Sequence, residues 1–378
     1  IWGENGYWSP VSGVDPAGSG EQHLAGSLGV FAGEKGVDTV NNEQAFDTLQ
    51  FKTDGYVLDG GTLAITPGYG NAGVLNVDTG VTATINSAIL GEAKNLLKAG
   101  GGEMYLTAIN SYSGSTIITE GVLGVDSDSS LGKVGGSVDV NGGILKAMAT
   151  FATDRPFTIG ENGGGIDVVE QNTLTAEGVF GGSGSLYKKG LGTLELRNSS
   201  NSYSGGTFLN EGTLRLASES AAGSGFISTA EGTALELLIN NDSTMVNSIE
   251  GKGTIVKSGG GELALLADHV ESESLSVDEG ALDIRNVLST SAINTLSGTR
   301  LHVGILSLSG ARQLALNNQG DFAYSMLQVV GSGNSVVGFL PSAAGKLLHF
   351  VLGPETARGD TMLSLNGKSL DVTGASLA

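Results

Sequence analysis

The sequence predicts an all-β chain wound as a right-handed, single-stranded parallel β-helix (a solenoid), and three observations predict it. Glycine is dense, at 62 of 378 residues, roughly one in six against an average nearer one in fourteen. Apolar residues alternate over short runs separated by Gly, Asn or Ser corners, the period of a strand with one buried face. These runs recur as copies of one unit, and a unit too small to bury its own apolar face must stack on its neighbours.

The copies justify the elements in order. Lys98-Ala-Gly-Gly-Gly-Glu-Met-Tyr-Leu106 leads to Asn110-Ser-Tyr-Ser-Gly-Ser-Thr116 and then to Glu120-Gly-Val-Leu123. The second copy runs Lys188-Lys-Gly-Leu-Gly-Thr-Leu-Glu-Leu196, Asn201-Ser-Tyr-Ser-Gly-Gly-Thr207 and Glu211-Gly-Thr-Leu214. A third, more divergent, is Lys257-Ser-Gly-Gly-Gly-Glu-Leu-Ala-Leu265 followed by Asp278-Glu-Gly-Ala-Leu282. In Gly192-Thr-Leu-Glu-Leu196, Leu194 and Leu196 point one way and Thr193 and Glu195 the other. Glycines before each run allow a sharp corner. A propeller blade would repeat near 40 to 50 residues, whereas these units recur at roughly 20 to 30. About 16 coils at about 4.8 Å each would give a rod on the order of 75 Å. Asn110 with Tyr112 and Gly114, and Asn201 with Tyr203 and Gly205, read as structural corners where amides bond to backbone.

Charge and composition exclude several classes. With 39 acidic against 19 basic residues, the net charge is -20, so nucleic acid is not expected as a partner. Zero Cys removes disulfide frameworks and thiolate chemistry together. The stretch Val336 to Leu352 is broken by Pro341, Lys346 and His349, too short for a membrane helix, and no membrane insertion is expected. The acidity is confined to residues 1–299, since 300–378 carry four acids against five bases. Two regions are therefore expected: an acidic solenoid over 1–299, and C-terminal coils or a cap of the same solenoid over 300–378.

The repeat Lys-x-Gly-x-Gly-x-Leu-x-Leu, Asn-x-Tyr-Ser-Gly-Gly-Thr, Glu/Asn-x-Gly-x-Leu resembles the passenger-associated repeat of bacterial autotransporters. Ala45-Phe-Asp-Thr-Leu-Gln-Phe-Lys-Thr-Asp-Gly-Tyr-Val-Leu-Asp-Gly-Gly-Thr-Leu63, preceded by Trp2, Tyr7 and Trp8, is similar to the opening coils of AIDA-type adhesin passengers. The resemblance implies an excised passenger, exported to the cell surface through the outer membrane by a C-terminal barrel absent from this chain. It implies an adhesin that mediates aggregation and biofilm by self-association of passengers on neighbouring cells, or that binds a host matrix protein or glycan.

No Gly-Asp-Ser-Gly or Gly-x-Ser-x-Gly element is present. The four His (His23, His269, His302 and His349) lack metal-ligand spacing, and Asp268 and His269 are strand neighbours that point apart. Asp126 and Asp128 are spaced like a carboxylate pair but sit in a polar turn-like run. Glu161, Asp167 and Glu170 do not form the repeated Gly-Gly-x-Gly-x-Asp calcium pattern. No catalytic residue, metal or cofactor is expected, and the chain reads as a non-enzyme; a polysaccharide-acting enzyme and an inert spacer are the alternatives. Weak binding candidates are Asp126, Asp128, the aromatics Trp2, Tyr7 and Trp8, and a basic group of Lys188 and Lys189 with Arg197 and Arg215.

Overall fold

A computed structural model describes residues 28–66, 71–309, 314–330, 336–339, 350–352, 362–365 and 368–371. The chain forms two compact units, Ile1–Gly205 and Gly206–Ala378. Both are parallel stacked coils, about 14 turns in all where about 16 were expected. The coil from Thr48 to its partner Val74 is longer than those higher in the same column. No α-helix occurs among the described residues.

In the first unit three columns of strands run up the stack. One column joins Leu28–Phe31, Thr48–Phe51, Ala72–Val77, Asn95–Ala99, Thr116–Ile118, Val138–Val140, Phe157–Ile159 and Phe180–Gly182, all parallel. A second passes through Thr82–Ile85, Glu103–Leu106, Val122–Val125, Ile144–Ala147, Gly164–Val168 and Leu186–Lys189. A third holds Phe151–Thr153, Thr173–Ala176 and Thr193–Leu196. The alternation explains the packing. In the second column Ala83, Met104, Leu123, Leu145 and Ile166 align in register and are buried, so each coil seals the apolar edge of the next. Aromatics stack the same way: Phe31 lies on Phe51 at 4.6 Å and Phe157 on Phe180 at 4.3 Å between ring centroids.

The register also shows where the repeat sits. Lys98 belongs to the first column, but Lys188, its counterpart 90 residues later, lies in the second, on the strand that stacks above Gly164–Val168. Coils here advance by 19 to 23 residues, so the interval is about four and a third turns. The motif has moved round by one face.

The second unit is built likewise, from longer strands that bend through the corners. Ala281–Thr295 contributes to three columns, pairing with Glu262–Leu265, then with both halves of His269–Val277. Arg300–Ser309 continues the ladder from Ala281–Thr295, so the change of charge at 299/300 coincides with no break in pairing. The alternating segment Met362–Leu365 is a strand as expected and stacks parallel on Val336–Phe339. It also pairs antiparallel with Lys368–Asp371, where the chain folds back.

Candidate functional site

The motif residues are structural. Asn110 is buried; its Oδ1 accepts from the Ile89 amide at 2.8 Å and its Nδ2 donates to the Ser130 carbonyl at 2.6 Å, tying it to the coils on either side. Asn201 accepts from the Phe180 amide at 2.8 Å. Tyr112 and Tyr203 are fully buried, and the Tyr112 hydroxyl lies 2.7 Å from Thr116 Oγ1. A β-carbon at Gly114 would stand 2.3 Å from Asn95 Oδ1 and 2.5 Å from the Lys94 carbonyl; one at Gly205 would stand 2.5 Å from the Ser185 amide nitrogen. Both glycines mark places where coils touch.

The repeat's lysines are buried too, which corrects the expected basic patch. Lys98, Lys188 and Lys257 are each 0% exposed. Lys188 Nζ donates to the carbonyls of Lys189 at 2.8 Å and Gly190 at 2.6 Å. Lys98 does the same to Ala99 and Gly100, at 2.8 and 2.6 Å, and reaches the Glu120 carbonyl of the next coil at 3.2 Å. Each ammonium thus caps the carbonyls that converge at its own corner. Burial pushes Lys98 down to about 8, opposed by nearby Glu120, and burial likewise lowers Lys257. Arg197 is held by Glu195 at 2.7 Å and Glu177 at 3.3 Å, and Arg215 by Glu236 at 2.7 Å. No concentrated positive surface results.

Asp126 and Asp128 do not act as a carboxylate pair. Asp126 Oδ1 accepts from the Ser130 hydroxyl at 2.9 Å, and Asp128 opens a short 3-10 turn, Asp128–Leu131. Arg155 holds that turn, a residue no sequence pattern marked. It is buried, and its guanidinium donates to Asp128 Oδ1 at 2.8 Å and Oδ2 at 3.2 Å. It also donates to the carbonyls of Asp128, Gly132, Lys133 and Gly136. Glu161 and Glu170 are exposed, while Asp167 pairs with Lys146. Among the described residues no group of three His, Cys, Asp or Glu is arranged to hold a metal ion. Trp2, Tyr7 and Trp8 lie outside the described residues.

Outward positions carry polar pairs that bridge neighbouring coils. Asn86 accepts from Thr107 at 2.7 Å, Ser115 meets Ser137 at 2.7 Å, and the Asn162 amide donates to Asn141 at 2.9 Å in the first unit. Ser258 donates to Glu236 at 2.9 Å and Ser274 to Thr254 at 3.0 Å in the second. A cavity of about 330 Å³ in the second unit is lined by Glu262, Asp283, Asp321, Arg300, His302 and Leu301. Its acids are engaged: Arg300 pairs with Glu262, while Arg285 at 3.1 Å and His302 at 2.9 Å hold Asp283. Desolvation raises the Asp283 pKa, but its bonds to His302 and Arg285 outweigh it and keep the carboxyl below the ordinary range. A general acid needs the opposite shift.

The passenger-associated-transport-repeat family matches residues 96–125 and 186–216, the two best copies of the motif. The repeats and the adhesins described next support a passenger domain of an AIDA-type autotransporter adhesin. It is similar to the adhesin BmaC autotransporter of Brucella suis biovar 1 (strain 1330), 30% identical over 364 residues that cover 89% of this chain and 10% of that protein. It is also similar to the autotransporter adhesin/invasin TibA of Escherichia coli O78:H11 (strain H10407 / ETEC), 29% identical over 302 residues, 74% of this chain and 27% of that protein. The passenger thus spans about a tenth and about a quarter of these curated relatives. No solved structure matches it. Among the described residues no helix is long and apolar enough to cross a membrane.

Proposed function

We propose that this passenger segment is adhesive and displayed at the bacterial surface, carried there by a C-terminal outer-membrane barrel on the longer protein. It joins cells to one another, giving aggregation and biofilm, or attaches them to host surfaces. The observation that carries this reading is the set of outward polar pairs that bridge neighbouring coils in both units. Polar positions recur from coil to coil along a stack, so weak contacts to an extended partner add through multivalency. The names of the two relatives, both adhesins, support it. So does the burial of the repeat motif, which leaves recognition to the residues between motif positions.

The test displays residues 1–378 on a non-aggregating bacterium and measures settling and retention on immobilised matrix proteins and glycans. Faster settling or retention is the expected result. Neither effect would sink the adhesive reading and favour a spacer or a polysaccharide-acting enzyme.

A further inference from the structure

The second column of the first unit carries two outward rows in register. One runs Tyr105, Gly124, Lys146, Asp167, Lys189; its neighbour runs Glu103, Val122, Ile144, Gly165, Tyr187. The two tyrosines lie down on glycines. A β-carbon at Gly124 would stand 2.2 Å from Cδ1 and 2.5 Å from Cε1 of Tyr105, and one at Gly163 would stand 2.8 Å from Cε2 of Tyr187. Covering bare backbone with an aromatic is a device sheets use for stability, and it occupies one face of each ring. Both tyrosines are only half-buried, so each ring keeps part of its surface in solvent.

What lies between the rings is suited to binding. Lys146 and Asp167 form a pair at 3.8 Å, their side chains 26% and 24% exposed, and so offer a donor and an acceptor side by side. The Tyr105 hydroxyl donates to the Glu103 carboxylate; burial first, and then that carboxylate, push the phenol up to about 12, so the ring stays neutral. Four coils separate the tyrosines, about 19 Å at about 4.8 Å per coil. Their common column is not a product of repetition. Tyr105 stands seven residues after its repeat lysine and Tyr187 one residue before its own, and only the one-face offset between copies brings them together.

We propose that this face binds a neutral oligosaccharide, its sugar rings stacked on Tyr105 and Tyr187 and its hydroxyls hydrogen-bonded by the Lys146–Asp167 pair. Flat aromatic platforms with a few fixed polar groups suit the mixed apolar and hydroxylated surface of a sugar. Charge selects the class. Glu103 and Asp167 balance Lys146 and Lys189 on the face itself, while the chain at -20 repels sulfated or uronate polymers and a second copy alike. The inference deepens the adhesive reading and rests on it.

The experiment uses the soluble full chain with neutral hexasaccharides of glucose, of N-acetylglucosamine and of alternating galactose and N-acetylglucosamine, with dextran sulfate as anionic control, read by saturation-transfer NMR and calorimetry. At least one neutral probe should bind. Tyr105→Leu and Tyr187→Leu, which keep the glycines covered, should each weaken it roughly tenfold, whereas the Phe variants should stay within about twofold. Unchanged circular dichroism of the Leu variants guards against misfolding. Binding by none of the neutral probes, preference for dextran sulfate, or binding unmoved in the double Leu variant would overturn the proposal. So would self-association of the chain that the Leu substitutions abolish. Displaying cells separate the two levels: adhesion that persists in the double Leu variant removes this face and leaves the adhesin standing, whereas no adhesion by the unaltered chain removes the adhesin.

Discussion

Arg155 offers the sharpest test of how a coil holds a projecting turn. Replacing it with Met keeps much of the aliphatic volume and removes every donor. The Asp128 carboxylate then loses bonds of 2.8 and 3.2 Å, and the carbonyls of Asp128, Gly132, Lys133 and Gly136 lose theirs at 3.1, 2.8, 2.9 and 3.2 Å. Asp128 is 23% exposed and recovers water; the buried Gly132 and Gly136 have poorer access to it. Breaking a buried charge pair in this way costs about 3–5 kcal/mol. Taking about 4 kcal/mol, local opening should become about a thousandfold more frequent. Amide exchange at Lys133, whose N–H donates to the Tyr112 carbonyl at 2.8 Å, reports that opening directly. Arg155→Lys should recover less than half of the loss, because one ammonium cannot serve a planar fork and four carbonyls. Protection at Lys133 that falls less than tenfold in the Met variant would refute the anchoring role.

Other coil contacts set outcomes of their own. Asn110→Ala should cost about 2–3 kcal/mol in urea unfolding of the chain, since it strands the Ile89 amide and the Ser130 carbonyl; Asn110→Asp, which keeps the acceptor, should cost less at neutral pH, and equal losses would contradict the assignment. Gly114→Ala should destabilise by about 1–3 kcal/mol, because its β-carbon meets the Lys94 carbonyl at 2.5 Å; a neutral effect would show that coil contact to be loose. Lys98 sheds its proton near pH 8 when folded but near 10.4 when unfolded. The unfolded state therefore binds more protons between those values, and stability should rise with pH across that window, by at most about 3 kcal/mol. Comparing urea midpoints of the chain and of Lys98→Met at pH 7 and pH 10 isolates the effect, and a difference that does not change with pH would count against it. Aggregation of displaying cells should increase from low to moderate salt, as screening weakens repulsion between chains of charge -20; a steep decline would point to ion pairs across the contact.

Local signals made the strands readable. Around Lys188 the glycine corner and the alternation of Leu194 and Leu196 are contained within a few residues, and the strand Thr193–Leu196 lies there. Fates decided by stacking were not readable. A lysine ordinarily reads as solvated, and only the converging carbonyls of Lys189 and Gly190 make burial tolerable for Lys188. Arg155 belongs to no repeat, and its acceptors lie about 20 to 27 residues earlier in the chain, across the width of a coil. At Met362–Leu365 alternation announces a strand but does not say that one partner, Val336–Phe339, runs parallel and the other, Lys368–Asp371, antiparallel. The tyrosine face needed the register as well, because Tyr105 and Tyr187 are not equivalent in the repeat.

That offset carries a consequence for how such a passenger can evolve. If the repeat recurred after a whole number of coils, its motif would occupy one column, and the motif and the binding surface would compete for the same positions. With about four and a third turns between Lys98 and Lys188, each copy anchors a different face of the first unit. The first and second columns thus each receive a buried lysine at a corner. Outward residues that cover no glycine carry less of the winding, and surface substitutions there cost little stability. Glu195 occupies in the second copy the place that Tyr105 has in the first; it is buried and paired with Arg197, so this position has changed residue together with its neighbours while Leu194 and Leu196 stay apolar and buried. Recognition is thereby separated from folding by geometry, with the inward rows and corners keeping the coil and the outward rows choosing the partner.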